Sequence, residues 1–122
     1  MNFEKKFSKI HGVGIFAKRK ILKSACFYKV PLNNVCKKPK AKCARISDDK
    51  YVFDGEVLNW VNHSCEPNSR LDVSGKNPLL IAIRGILPGE EIVVDYNKTE
   101  KNNTKVKCDC KAENCQGYFF IS

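Results

Sequence analysis

The apolar residues of this chain come in short runs broken by glycine, proline, asparagine or aspartate, and no segment carries a long helical period. Such a pattern predicts many short strands, so the expected class is mainly β. Ile15-Phe16-Ala17, Cys26-Phe27-Tyr28, Leu79-Leu80-Ile81-Ala82-Ile83 and Glu91-Ile92-Val93-Val94 are the clearest strand candidates. Ser74-Gly75-Lys76-Asn77-Pro78 and Pro88-Gly89 read as turns. Glu56 to Val61 suits one helical turn with Val57, Leu58 and Val61 inward. Two stretches read as irregular: the basic segment Asn33 to Ser47, and the polar segment Asn97 to Lys107, expected to act as a hinge.

A length of 122 residues suits one domain with a modest core. No apolar run approaches the ~20 residues that cross a bilayer, and Met1 to Ile10 lacks the apolar centre of a signal peptide. The expected location is therefore intracellular, with no membrane partner. Seven cysteines are too odd a number for a complete disulfide framework, and in a reducing compartment they favour metal ligation plus free thiols. Charge is uneven: residues 1–45 hold 13 Lys or Arg against one acid, whereas residues 46–122 hold 9 against 12. A basic first half is suited to contact with nucleic acid or a nucleoprotein.

Four constellations carry chemistry. Cys108-x-Cys110-x4-Cys115 places three thiols within eight residues, and tetrahedral zinc asks for a fourth ligand from elsewhere. Cys65 is the prime candidate, because it lies in the dense polar run Asn62-His63-Ser64-Cys65-Glu66-Pro67-Asn68. With Cys65 as ligand, the metal would staple residues 108–122 onto the centre of the domain. That polar run is itself the second constellation, suited to gripping a polar small molecule through Asn62 and His63. Gly12-Val13-Gly14 is the third, a turn that lacks the third glycine of a dinucleotide fingerprint. The fourth is Gly89-Glu90-Glu91-Ile92-Val93-Val94-Asp95-Tyr96, a turn into a strand that ends in an acid and a phenol.

Taken in this order, the four features resemble the SET-domain family of protein-lysine methyltransferases. His11-Gly12-Val13-Gly14-Ile15-Phe16-Ala17 looks like the family's G-x-G motif, and Asn62 to Asn68 matches its NHSC-x-PN signature. Ala82-Ile83-Arg84 with Gly89 to Tyr96 matches the A-x-R and GEE-x-x-x-DY signature, and Cys108, Cys110 and Cys115 match the post-SET zinc motif. The resemblance implies a SET-domain fold over residues 1–107, with β-clip-like small sheets and a C-terminal pseudoknot, followed by a post-SET zinc-binding segment over residues 108–122. Several positions depart from the pattern. Lys23 is followed by Ser24 where the family often has glycine, Lys29 replaces an acid, Asn59-Trp60 replaces R-F, and Val94 stands two residues before the tyrosine where an aromatic tunes the number of methyls.

The resemblance also implies roles. Gly12, Val13 and Gly14 would meet the methionine part of S-adenosylmethionine through the backbone. Asn62 and His63 would hold its amino group and adenine, and Tyr118 or Phe119 would cover the adenine or the lysine channel. Tyr96 would be the catalytic phenol, with Tyr51 lining the channel. Cys65, Cys108, Cys110 and Cys115 would bind zinc. The implied reaction transfers a methyl group to a lysine of a protein substrate, for example a histone or another basic nucleoprotein component, with a nuclear or chromatin location in a eukaryote. A catalytically inactive, zinc-stabilised binding module of the same fold is the alternative.

Overall fold

The computed structural model describes residues 2–10, 12–37, 44–47, 50–96, 104–107, 113 and 115–121. Its named strands are β1 (Phe3–Phe7), β2 (Val13–Ala17), β3 (Cys26–Lys29), β4 (Val35–Cys36), β5 (Ala44–Ser47) and β6 (Lys50–Val52). They continue with β7 (Asn62–His63), β8 (Ser69–Asp72), β9 (Leu79–Ala82), β10 (Val93–Val94), β11 (Thr104–Lys107) and β12 (Tyr118–Ile121). Among the described residues these strands make five small sheets instead of one large one. β1 and β2 form an antiparallel hairpin, β3-β9-β8 and β4-β6-β5 are antiparallel triplets, and β11 pairs with β12. β10 lies parallel to β7, with Val93 beside Asn62 and Val94 beside His63. This crossing is the local contact that the expected C-terminal pseudoknot requires.

Because each sheet is small, the core is assembled from several of them. β2 alternates, burying Ile15 and Ala17, and β9 does the same with Leu80 and Ala82. Val30, Ile86 and Ile92 join them from outside the ladders, and Val57, Leu58 and Val61 join from the turn between β6 and β7. The expected helical turn is present as a single 3-10 turn, Leu58–Trp60. Asp54, almost fully buried, organises it: its carboxylate accepts the Leu58 N–H at 3.0 Å and the Glu56 N–H at 3.2 Å, and its carbonyl accepts the Asn59 N–H at 2.9 Å.

Several elements differ from the sequence expectation for identifiable reasons. β1 buries only Phe3 and exposes Lys5 to Phe7, so it has no apolar alternation to read. Asn33 to Ser47, read as irregular, contains β4 and β5, with residues 38–43 outside the described set. Thr104–Lys107, read as part of a hinge, is strand β11, held by register with β12. The run from Glu91 contributes a ladder of only two residues, Glu91 making an isolated bridge to Phe16 instead.

The turn before β3 carries strain. The Ala25 N–H donates to the Leu22 carbonyl at 3.1 Å, and Ser24 sits at a φ of 71°, in the left-handed region that costs a residue with a Cβ roughly 1–2 kcal/mol. Replacing Ser24 by glycine, the residue the SET pattern often places here, relieves that cost but adds chain entropy to the unfolded state. A net gain of about 0.5–1 kcal/mol is expected for Ser24→Gly in urea unfolding. An unchanged or lowered midpoint would show that the serine is not strained there.

Candidate active site

A parallel ladder of two residues on each side is too short to hold itself, and buried carboxamides complete it. Asn68 is 1% exposed. Its amide nitrogen donates to the Glu91 carbonyl at 2.7 Å, and its amide oxygen accepts the Val93 N–H and the Ser69 hydroxyl, each at 3.0 Å. Its own carbonyl accepts the Ile83 N–H at 2.9 Å. One side chain therefore serves as the hydrogen-bonding edge that β10 would otherwise need from another strand. The Ser64 N–H extends the crossing by donating to the Val94 carbonyl at 2.9 Å. The Ser64 hydroxyl turns the chain by accepting the Glu66 N–H at 3.0 Å.

The glycine turn is tied to this crossing through Glu91. The Ser8 hydroxyl donates to one Glu91 carboxylate oxygen at 2.7 Å, and the Asn62 amide nitrogen donates to the other at 2.9 Å. The same amide nitrogen donates to the Val13 carbonyl at 3.2 Å. Both Asn62 amide hydrogens thus serve the protein. Gly14 is required by space: a Cβ there would lie 2.3 Å from the Glu91 carboxylate and 3.2 Å from the Ser8 Cβ. Gly12 is required by conformation, with a φ of 46°.

Tyr96 is gripped at both ends. Its backbone N–H donates to the His63 Nδ1 at 2.9 Å, and its phenol hydroxyl donates to the Val61 carbonyl. Because Nδ1 accepts, the imidazole proton sits on Nε2, which lies 3.3 Å from the Cys65 sulfur and donates to it. Burial pushes the His63 pKa below the ordinary histidine value, and the carboxylate of Asp95, 3.6 Å from Nδ1, opposes that only in part. The imidazole is therefore a neutral spacer between the phenol-bearing residue and Cys65. With both ring nitrogens engaged, a ligand would meet His63 through its backbone.

Cys65 is buried, and its sulfur also accepts the Gln116 N–H at 3.2 Å, across 51 residues of sequence. The Cys115 sulfur accepts the Gly117 N–H at 3.4 Å. The C-terminal segment is thereby drawn to the polar run of residues 62–68. Cys108, Cys110 and His11 lie outside the described residues, and among the described residues no group of three metal-binding side chains forms. Tyr118, half-buried, opens β12 opposite Lys107, and of Phe119 only the backbone is described. Tyr51 is buried in the middle of β6, between Cys36 and Arg45 in the register. A cavity of about 690 Å³, lined by Lys5, Lys6, Phe7, Val13 and Trp60, opens beside the glycine turn, and the Lys5 ammonium lies 4.9 Å from the Trp60 ring.

The SET-domain family profile matches residues 12–97, the span that holds the glycine turn, the crossing and Tyr96. The chain belongs to the SET-domain family. A trithorax histone-lysine N-methyltransferase of Drosophila virilis is 37% identical over 79 residues, covering 58% of this chain and 2% of the fly protein. Histone-lysine N-methyltransferase ASHR3 of Arabidopsis thaliana is 40% identical over 71 residues, covering 55% of this chain and 14% of the plant protein. Human histone-lysine N-methyltransferase 2B is 33% identical over 132 residues, covering 91% of this chain and 5% of the human one. The chain thus spans a small fraction of the length of these relatives.

Within this SET domain, the structure brings together Val13, Gly14, Asn62, His63, Cys65 and Tyr96, which the sequence had singled out. Ser8 joins them without any sequence signal, and Val61, read from the sequence only as an inward residue of the turn, joins them through its carbonyl. The steric limit at Gly14 gives a direct test. Gly14→Ala is expected to lower stability by roughly 1–3 kcal/mol, through displacement of the Glu91 carboxylate from Asn62. Thermal melts of Gly14→Ala and Gly75→Ala check it, since an added Cβ at Gly75 meets nothing within 4 Å. Equal melts for the two variants would contradict the crowding.

Proposed function

We propose that this SET domain is an S-adenosylmethionine-dependent protein-lysine N-methyltransferase, acting on a histone or a similarly basic chromatin component. The observation that carries the reading is the double grip on Tyr96, beside a glycine turn whose contacts fix Val13, Gly14 and Asn62. The histone-lysine methyltransferases that the chain is similar to support the reaction class and a chromatin setting. The uneven charge supports contact of the basic half with nucleic acid bound to the same substrate.

The residues present fit the cofactor. The glycine turn brings the Val13 carbonyl to Asn62, beside a groove lined by Lys5, Lys6, Phe7, Val13 and Trp60 that has room for a small molecule. When bound, S-adenosylmethionine supplies an electrophilic methyl group on a sulfonium. Gly12, Val13 and Gly14 offer backbone contacts, and Tyr118 and Phe119 offer aromatic cover. Tyr96 holds its own proton on the Val61 carbonyl, so its oxygen acts as an acceptor toward the substrate amine. That amine must be neutral to react, and neutralising a lysine at pH 7 costs roughly 4–5 kcal/mol in water. An apolar channel to which Tyr51 contributes would lower that cost by disfavouring the ammonium. Tyr96 would contribute separately, by aligning the neutral amine with the methyl group.

Zinc fits the sulfur chemistry. The Cys65 sulfur accepts two N–H groups and the Cys115 sulfur one, the kind of outer contact that orients a ligating sulfur. With Cys108 and Cys110 added, the set has the four sulfurs of a closed structural site, and residues 108–122 would act as a post-SET zinc-binding segment.

Protein incubated with methyl-labelled S-adenosylmethionine and core histones is expected to place label on lysine. Tyr96→Phe should lower that transfer by about 10²-fold or more while retaining cofactor affinity by calorimetry. Cofactor binding with no label on any protein would instead favour an inactive binding module of the same fold. Elemental analysis should find zinc bound in the wild type and lost in Cys65→Ser, and chelation should lower the wild-type melting temperature. Metal-free protein with an unchanged melt would remove the zinc assignment.

A further inference from the structure

Asp54 is more than the organiser of the 3-10 turn. It is 4% exposed, and besides the Leu58 and Glu56 N–H groups its carboxylate accepts the hydroxyl of Tyr28 at 2.6 Å. Tyr28 lies on β3, and its ring edge packs against Phe3 of β1. The turn that Asp54 holds runs on through the Trp60 N–H to the Val57 carbonyl at 3.0 Å and the Val61 N–H to the Leu58 carbonyl at 3.2 Å. It is clamped again where the Trp60 indole N–H donates to the Gly55 carbonyl at 2.9 Å. The turn ends at Val61, whose carbonyl takes the phenol proton of Tyr96. The two tyrosines are therefore joined by one continuous set of contacts: Tyr28 hydroxyl, Asp54 carboxylate, 3-10 turn, Val61 carbonyl, Tyr96 hydroxyl.

We propose that Tyr28 and Asp54 are positioning residues for Tyr96, setting through this turn where the Val61 carbonyl stands and hence where the catalytic phenol points. Four features support it. The carboxylate is buried and accepts three donors, one from β3 and two from the turn, so its position is fixed from two sides. Burial and the neighbouring carboxylate push the Tyr28 pKa upward, so the hydroxyl stays a donor at any working pH. The turn is short and closed at both ends, so a shift at Asp54 has no loop in which to dissipate. Val61 is also 1% exposed in the core, which leaves its carbonyl no freedom to readjust alone.

The role rests on the methyltransferase reading for its effect on rate, but its geometric part can be read without turnover. The chain has four tyrosines, so a protein labelled with carbon-13 at the tyrosine Cζ gives four ring signals that Tyr→Phe variants assign. Tyr28→Phe is expected to shift the Tyr96 signal and lower kcat about 10-fold, with the affinity for S-adenosylmethionine and the KM for the protein substrate unchanged. Asp54→Asn, which keeps one acceptor oxygen, should have an effect of the same kind and larger. If Asp54→Asn fails to fold, Tyr28→Phe decides alone. A Tyr96 signal that stays at its wild-type position in Tyr28→Phe overturns the proposal, as does a rate loss matched by an equal loss of cofactor affinity. Wild-type protein that transfers no methyl group, yet shows the Tyr96 shift in Tyr28→Phe, overturns the methyltransferase reading and leaves the positioning intact.

Discussion

The parallel crossing of β7 and β10 is the constraint on which the rest of the structure depends. It brings residues 62–68 and 89–96 together, yet its ladder is only two residues long on each strand. Backbone pairing at that length cannot offset the loss of chain entropy on bringing two distant segments together. The deficit is met by Asn68, Asn62, Ser64 and His63, all buried and all hydrogen-bonded. A buried polar group left unpaired costs about 1–3 kcal/mol, so these side chains hold only in the arrangement that satisfies them together. The residues that build the crossing are the residues that form the site, and fold and site are one structure here.

Electrostatics follow the same logic. Glu91 is stabilised by neutral donors, Ser8 and Asn62, and it fixes the glycine turn without drawing a cation into the centre. His63 is kept neutral by burial and passes its remaining proton toward sulfur. The groups that hold Tyr96, the neutral His63 ring and the Val61 carbonyl, act through directed hydrogen bonds, the condition under which a dipole is aimed in advance.

The motif segments were legible in the sequence because each is dense in residues whose chemistry is local: glycines at a positive φ or a crowded turn, and carboxamides in a polar run. The 3-10 turn was legible from the inward spacing of Val57, Leu58 and Val61. β1 and β5 were not, since strands at the margin of small sheets bury too little to alternate. β11 was missed because its polar composition matches a hinge, and only its partner β12 defines it. Asp54 was invisible for a different reason: an aspartate before a turn reads as an ordinary exposed cap, and only the arrival of Tyr28 from β3 shows it to be buried.

The contact from the Gln116 N–H to the Cys65 sulfur has a consequence for how the molecule comes into being. During synthesis the hairpin of β1 and β2 can form as soon as it emerges, but Asn62 and Asn68 must wait for Glu91 and Val93, and Cys65 must wait for residue 116. The polar interior is therefore the last part to find its partners, and a nascent chain must keep it hydrated until nearly all of the sequence described here has been made. Contacts of such long sequence separation slow folding. Tyr96 stands apart from this order, since its hydrogen-bond partners Val61 and His63 have already been made when it emerges.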